Sequence, residues 1–297
     1  MNPKPMDWFV LLALAFIWGS SYLMIELALR VWSPAQITGL RILAAAAVLL
    51  VAFWLRGEKW PRSMRAWVYF IAIAVLGNCL PFTLISWGQL ELDSGVTSIL
   101  ASSTPLFVIV LAHVMLNDEP VKLVHLFGVV LGFIGVLVLL GHDVQSFFDL
   151  SDTSLLAQLA ILAATFSYAL STVLTRLMPP SHPLVTSTAV LLIASLIMSP
   201  ITFQAFRDPL DFTFDAVAAV AFMGVMGTGI SALMFFHVVD RCGARFVSLL
   251  NYMVPLWAVL LGVIILNERM SKDILAGGTL ILFSLILANW RARRDRA

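Results

Sequence analysis

Residues 98–128, SILASSTPLFVIVLAHVMLNDEPVKLVHLFG, match residues 248–278, SLLNYMVPLWAVLLGVIILNERMSKDILAGG, at a constant offset of 150, with nine of 31 positions identical and no gap. Shared Leu and Val follow from composition alone. The pairs Pro105/Pro255, Asn117/Asn267 and Gly128/Gly278 do not. The same offset pairs Phe16 with Phe166, Trp18 with Tyr168, Ser21 with Ser171, and Gly77 with Gly227. The chain therefore reads as an internal duplication. Each copy carries a proline inside an apolar run, where it removes a backbone donor and clashes with the carbonyl four residues back. Pro105 and Pro255 are accordingly predicted to be paired helix breaks at the midpoints of two membrane helices.

Composition sets the medium. The chain has 297 residues, 61% hydrophobic and 12% charged. A water-soluble domain carries about twice that charged fraction. Apolar runs near the ~20 residues that cross a bilayer as a helix fall at 8–30, 36–55, 67–88, 94–116, 123–141, 154–177, 184–206, 215–239, 245–266 and 272–290. The fold class expected is all-α and integral to the membrane, with ten transmembrane helices in two five-helix repeats, 1–141 and 154–297, joined by a loop at 142–153. The run from Trp8 to Leu29 exceeds an ordinary signal-peptide core and lacks a small-x-small site after it, so it reads as the first permanent span. Cys79 lies mid-membrane and Cys242 near an interface, so they read as packing thiols without a shared disulfide.

Parity gives the repeats their relation. Five spans is an odd number, so the second copy enters the membrane inverted. Inverted repeats with matching interrupted helices suit alternating access around a site near the midplane. Ten spans also put both termini on one side. That side collects thirteen of the eighteen Lys and Arg residues, against four on the opposite side and Arg41 within a span. Both termini are predicted to be cytoplasmic, the tail RARRDRA acting as a topology anchor.

The segments FIWGSSYLMIELAL, SPAQITGLRILAAA, GVTSILASSTPLFVIVLAHVMLNDE and ARFVSLLNYMVPLWAVLLGVIILNE resemble the ten-helix EamA-type members of the drug/metabolite transporter superfamily. The likeness covers nearly the whole chain. It implies a cytoplasmic (inner) membrane carrier, often an exporter of amino acids or related metabolites. It also implies a central cavity formed by helices 1–4 and 6–9, with helices 5 and 10 peripheral. In LNDEP, Glu119 stands one position later than that family's pattern, while Glu268 in LNERM fits; both are read as loop caps.

Candidate residues follow from depth. Trp18 and Tyr168 are repeat mates near the centres of helices 1 and 6, with Tyr22 one turn beyond Trp18. Asn78 and Thr228 are mates beside Gly77 and Gly227. Asn251 and Tyr252 precede Pro255, as Ser103 precedes Pro105. An unpaired amide in hydrocarbon costs several kcal/mol, so these groups must face protein, water or solute. They are the predicted substrate-binding set, alongside the plainer reading of helix-to-helix contacts. Among carboxylates and cations, Glu26 and Arg41 alone lie well inside spans. At similar depth on adjacent antiparallel helices, they are expected to pair as a structural clamp, the functional alternative being that Arg41 holds a substrate carboxylate or Glu26 carries a coupling proton.

No His or Cys spacing suggests a metal or haem, and no GxxxxGK[ST] loop suggests ATP hydrolysis. GVMGTG at 224–229 reads as close helix packing. The expected partners are a small-molecule substrate and membrane lipid, with no cofactor and no nucleic acid; a monomer suffices. The reading is a secondary transporter, with an intramembrane enzyme and a channel-like facilitator without proton coupling as the alternatives.

Overall fold

The computed structural model describes residues 3–116, 123–140, 153–207 and 213–290. Their helices are α1 (Pro5–Leu29), α2 (Pro34–Leu55), α3 (Met64–Gly88), α4 (Ser94–Met115), α5 (Leu123–Leu140), α6 (Thr153–Leu177), α7 (Pro183–Arg207), α8 (Phe214–Cys242), α9 (Ala244–Val247 with Leu250–Ile265) and α10 (Lys272–Trp290). Among the described residues there is no strand. Seven of these helices are long and apolar enough to cross a membrane, and shorter apolar stretches lie at Phe127–Val136, Leu250–Ile265 and Ile274–Ser284. Glu119, residues 142–152 of the connecting loop and the RARRDRA tail lie outside the described residues.

Helix boundaries follow local chemistry. Pro34 occupies the first turn of α2, where its missing donor costs nothing. Ser33 and Gln36 cap that turn reciprocally, Ser33 N donating to Gln36 Oε1 at 2.9 Å and Gln36 N to Ser33 Oγ at 3.4 Å. Gly243, at φ 80°, takes the left-handed turn that separates α8 from α9. Cys79 and Cys242 are free thiols.

The two halves interlock. α1 packs on α8 and α9, while its mate α6 packs on α3 and α4. α2 lies against α7, α4 against α9, and α5 against α10. The halves thus exchange their first helices, so neither α1 nor α6 is seated chiefly in its own repeat. α5 and α10 approach closely: a side chain at Gly135 would meet the Gly277 carbonyl at 2.9 Å.

The break in α4 is stitched by its own hydroxyls. The helix stops at Ala101 and resumes at Thr104. Ser102 Oγ donates to Ile99 O at 2.6 Å, Ser103 Oγ to Leu100 O at 2.7 Å and Thr104 Oγ1 to Ala101 O at 2.8 Å. The carbonyl that Pro105 cannot serve is therefore satisfied by a neighbouring side chain. α9 departs from the predicted symmetry. Pro255 lies inside the helix Leu250–Ile265, and the interruption falls earlier, between Val247 and Leu250. The residues before Pro255, Asn-Tyr-Met-Val, include no short hydroxyl to replace the winding.

Candidate functional site: a central cavity between the repeats

α3 and α8 each leave α-helical winding for a wider π turn, at Val75–Cys79 and Phe222–Ile230. The two turns coincide under the 150-residue offset. Each disturbs the regular ladder, and in each a carbonyl is taken by the exchanged helix of the other half. Trp18 Nε1, on α1, donates to Gly227 O at 3.1 Å. Ser167 Oγ, on α6, donates to Leu76 O at 2.6 Å. The glycines make this approach close: a Cβ at Gly77 would strike Ser171, and one at Gly227 would meet Ser21 Oγ at 3.2 Å. Four residues paired by sequence thus meet as two cross-repeat contacts.

The α8 turn, through Gly227 and Thr228, borders a cavity of about 460 Å³. Its lining comes from α1–α4 and α6–α9, with no described residue of α5 or α10. One wall is aromatic: Trp18 stacks obliquely on Phe235, centroids 5.7 Å apart, and Phe82 meets Tyr168 edge-on at 6.2 Å. Ser98, Ser102, Thr104 and Ser231 also line it, each donating its proton to a carbonyl of its own helix.

Arg41 enters this cavity from α2. Its Nε donates to Thr228 Oγ1 at 2.9 Å, and its guanidinium carbon lies 4.0 Å from the centre of the Phe82 ring. Thr228 in turn donates to Met223 O at 3.1 Å, so the π turn orients the hydroxyl that receives Arg41. Gly224 lets the helices come together: a side chain there would meet Ala44 Cβ at 2.5 Å and Arg41 O at 2.8 Å.

A cavity lined by helices of both repeats gives the comparison with known proteins its meaning. The sequence profile described as the EamA-like transporter family matches residues 6–141 and again 155–290. The chain belongs to this EamA-like transporter family. YoaV of Bacillus subtilis, named an uncharacterized transporter, is 23% identical over 289 residues, covering 96% of this chain and 97% of that one. A WAT1-related chloroplastic protein of Arabidopsis thaliana is 27% identical over 301 residues, covering 98% and 71%. Protein PagO of Salmonella typhimurium is 26% identical over 247 residues, covering 82% and 79%. A solved crystal structure superposes with a TM-score of 0.67 at 19% identity, over 99% of this chain and all of that one, which shows a shared fold. The chain is a multi-pass membrane protein and a transporter of small solutes.

Within this EamA-like cavity the predicted residues separate. Trp18, Tyr22, Tyr168, Thr228 and Asn251 line it. Asn78, Ser103 and Tyr252 do not. Asn78 Nδ2 turns back to Ile73 O at 3.4 Å, Ser103 is fully buried on Leu100 O, and Tyr252 packs against the apolar core. The lining that sequence reasoning passed over includes Phe82, Phe235 and Phe236, whose only advance signal was an aromatic among apolar residues.

The predicted Glu26–Arg41 pair does not form. The titratable neighbours of Glu26 are Arg30, Asp93 and Glu268, whereas those of Arg41 are the phenols of Tyr22 and Tyr168. The reason is the helix exchange: α2 packs on α7 and α8 and turns Arg41 inward, away from the α1 face that carries Glu26. Glu268 does act as a cap, but across the repeats. Ser94 N donates to its Oε1 at 2.8 Å and Gly95 N to its Oε2 at 3.0 Å, so a loop of the second half closes the first turn of α4. An anion at a helix N-terminus meets both unpaired donors and the positive end of the dipole. Asn267, at φ 56°, makes the left-handed turn that delivers it.

Proposed function

We propose that this chain is a ten-span secondary carrier that moves a small organic metabolite, an amino acid or a related partly hydrophobic solute, by alternating access. The observation that carries the reading is the cavity itself, walled by eight helices drawn from both repeats and lined by the π turn of α8. A volume of about 460 Å³ lies within the range of small-molecule sites. The distribution of basic residues supports cytoplasmic termini, and the family resemblance supports export across the cytoplasmic membrane.

The two ends of the cavity differ in a way that supports a gated path. On the side away from the termini, one continuous buried cluster joins residues of both halves, including Ile25, Trp32, Ile85, Ile99, Ile161 and Met223. Glu268 adds its cap on that side. On the terminal side, buried apolar residues divide into a cluster on α2, α3 and α7 and another on α1, α8 and α9. The conformer is read as sealed outside and divided inside. Alternation then consists of parting the outer cluster while the two inner ones meet.

The test is counterflow in proteoliposomes against a panel of amino acids and related metabolites, with and without a pH gradient. Exchange of at least one solute is expected. A folded, correctly inserted preparation that moves no member of a broad panel would defeat the proposal. Stimulation by the gradient that disappears in Glu26→Gln identifies a proton as the coupling ion; indifference to the gradient leaves exchange or facilitated diffusion.

A further inference from the structure

The charge inventory of the cavity narrows the solute. Arg41 is the one charged residue among the described residues that line it, and an arginine cannot shed its proton in a protein. Its only hydrogen bond among those residues uses Nε, to Thr228, which leaves the two terminal nitrogens of the guanidinium for whatever occupies the cavity. Phe82 covers one face of the planar group, so binding is confined to the edge. That edge is the fork that takes a carboxylate through two parallel N–H···O bonds. The remaining surface is mostly aromatic and aliphatic, with the Asn251 amide, the Tyr22 and Tyr168 phenols and Ser187 as neutral polar groups, and with the hydroxyls of Ser98, Ser102 and Ser231, whose protons are committed to their own helices.

Resting on the carrier reading above, we infer that the cavity is built for an organic monocarboxylate with an apolar or aromatic body and no ammonium group. A buried unpaired charge is costly, and an opposite charge brought by the ligand relieves that cost. A monoanion makes the loaded cavity neutral. A zwitterionic amino acid leaves it with a net positive charge and places its ammonium where no described carboxylate can receive it. An organic cation doubles the charge. Glu26, the other charge at membrane depth, faces Arg30, Asp93 and Glu268 instead of the cavity and supplies no partner for an ammonium group. Trp18 and Phe235 form the apolar wall for the body of the ligand.

Three probes that share a phenyl ring separate the possibilities: phenylacetate, phenylalanine and phenethylamine, which are an anion, a zwitterion and a cation at neutral pH. Binding to the purified full chain in nanodiscs is measured by calorimetry. Phenylacetate is expected to bind at least about tenfold more tightly than phenylalanine, with phenethylamine weakest. Arg41→Gln should erase that order, leaving phenylacetate and phenylalanine within about threefold of each other, whereas Arg41→Lys should keep the order with lower affinity. If Arg41→Gln does not fold, Thr228→Val serves, since it releases Nε and should weaken phenylacetate by about threefold to tenfold without affecting phenethylamine. Phenylalanine binding as tightly as phenylacetate, no binding by any probe, or an unchanged order in a folded Arg41→Gln protein would each overturn the inference. Counterflow separates this outcome from the carrier reading: exchange of phenylalanine but not phenylacetate defeats only the monocarboxylate assignment, and transport of nothing defeats both.

Discussion

The π turns of α3 and α8 are the same backbone event in two settings. Both sit at mated positions, both carry a glycine at the contact, and both have a carbonyl held by the other half. Their surroundings differ at one place. α8 receives Arg41 on Thr228, whereas the α7 residue that corresponds to Arg41, Leu191, is apolar and buried. Asn78, the mate of Thr228, consequently has no cation to meet and bonds to the carbonyl five residues back in its own helix. Thr228 makes that same internal bond, to Met223 O, and holds Arg41 as well. Duplication supplied a symmetric scaffold, and a single basic residue distinguishes one side of it from the other.

The comparison can be broken most severely at position 224. Its mate in α3, Ala74, is already an alanine and fully buried, yet an alanine at 224 would drive its Cβ into Ala44 and the Arg41 backbone. Gly224→Ala is expected to cost about 1–3 kcal/mol by overpacking, read as a lower midpoint of thermal unfolding in detergent, and to weaken solute binding by displacing Arg41. Gly77→Ala and Gly227→Ala should then differ in the opposite sense. The first strikes both Oγ and Cβ of Ser171, whereas the nearest atom to the second is Ser21 Oγ at 3.2 Å, with Phe222 O and an Arg41 terminal nitrogen in ordinary contact beyond it. About 1–2 kcal/mol is expected for the α3 variant and under about 1 kcal/mol for the α8 variant; equal losses would mean the two contacts are equivalent after all.

Smaller effects test the carbonyls. Ser167→Ala removes the hydroxyl that donates to Leu76 O and should cost about 1 kcal/mol. Trp18 shares Gly227 O with Ser231, whose Oγ donates to it at 2.7 Å. The hydrogen-bond loss in Trp18→Phe should therefore be the lesser of the two, a difference that chemical denaturation of the two variants would resolve. Least of all, Asn78→Ala should leave solute binding unchanged, because its side chain is not part of the cavity lining.

Much of the scaffold was legible because it depends on local or periodic signals. Apolar runs set the helical segments within a few residues, and the 150-residue offset paired Gly77 with Gly227 and Ser21 with Ser171 before their contacts were known. What the sequence concealed depends on packing between distant segments. A π turn has no compositional mark beyond a glycine. Adjacency in sequence suggested Arg41 beside Glu26, but the exchange of α1 and α6 gave α2 other neighbours. The reach of Glu268 to Ser94 crosses 174 positions and the repeat boundary. Pro105 and Pro255 matched as letters and diverged as structure, because the hydroxyls before one are missing before the other.

Those hydroxyls have a structural consequence. A helix that loses winding inside a membrane ordinarily exposes carbonyls that must be wetted or covered afresh whenever the angle changes. In α4 the loose carbonyls are held by side chains of the very next residues, at 2.6–2.8 Å. The two segments of α4 are thus joined at Ser102–Ser103 by a turn that meets its own hydrogen-bonding needs from within the chain, whereas the helix around Pro255 runs on from Leu250 to Ile265.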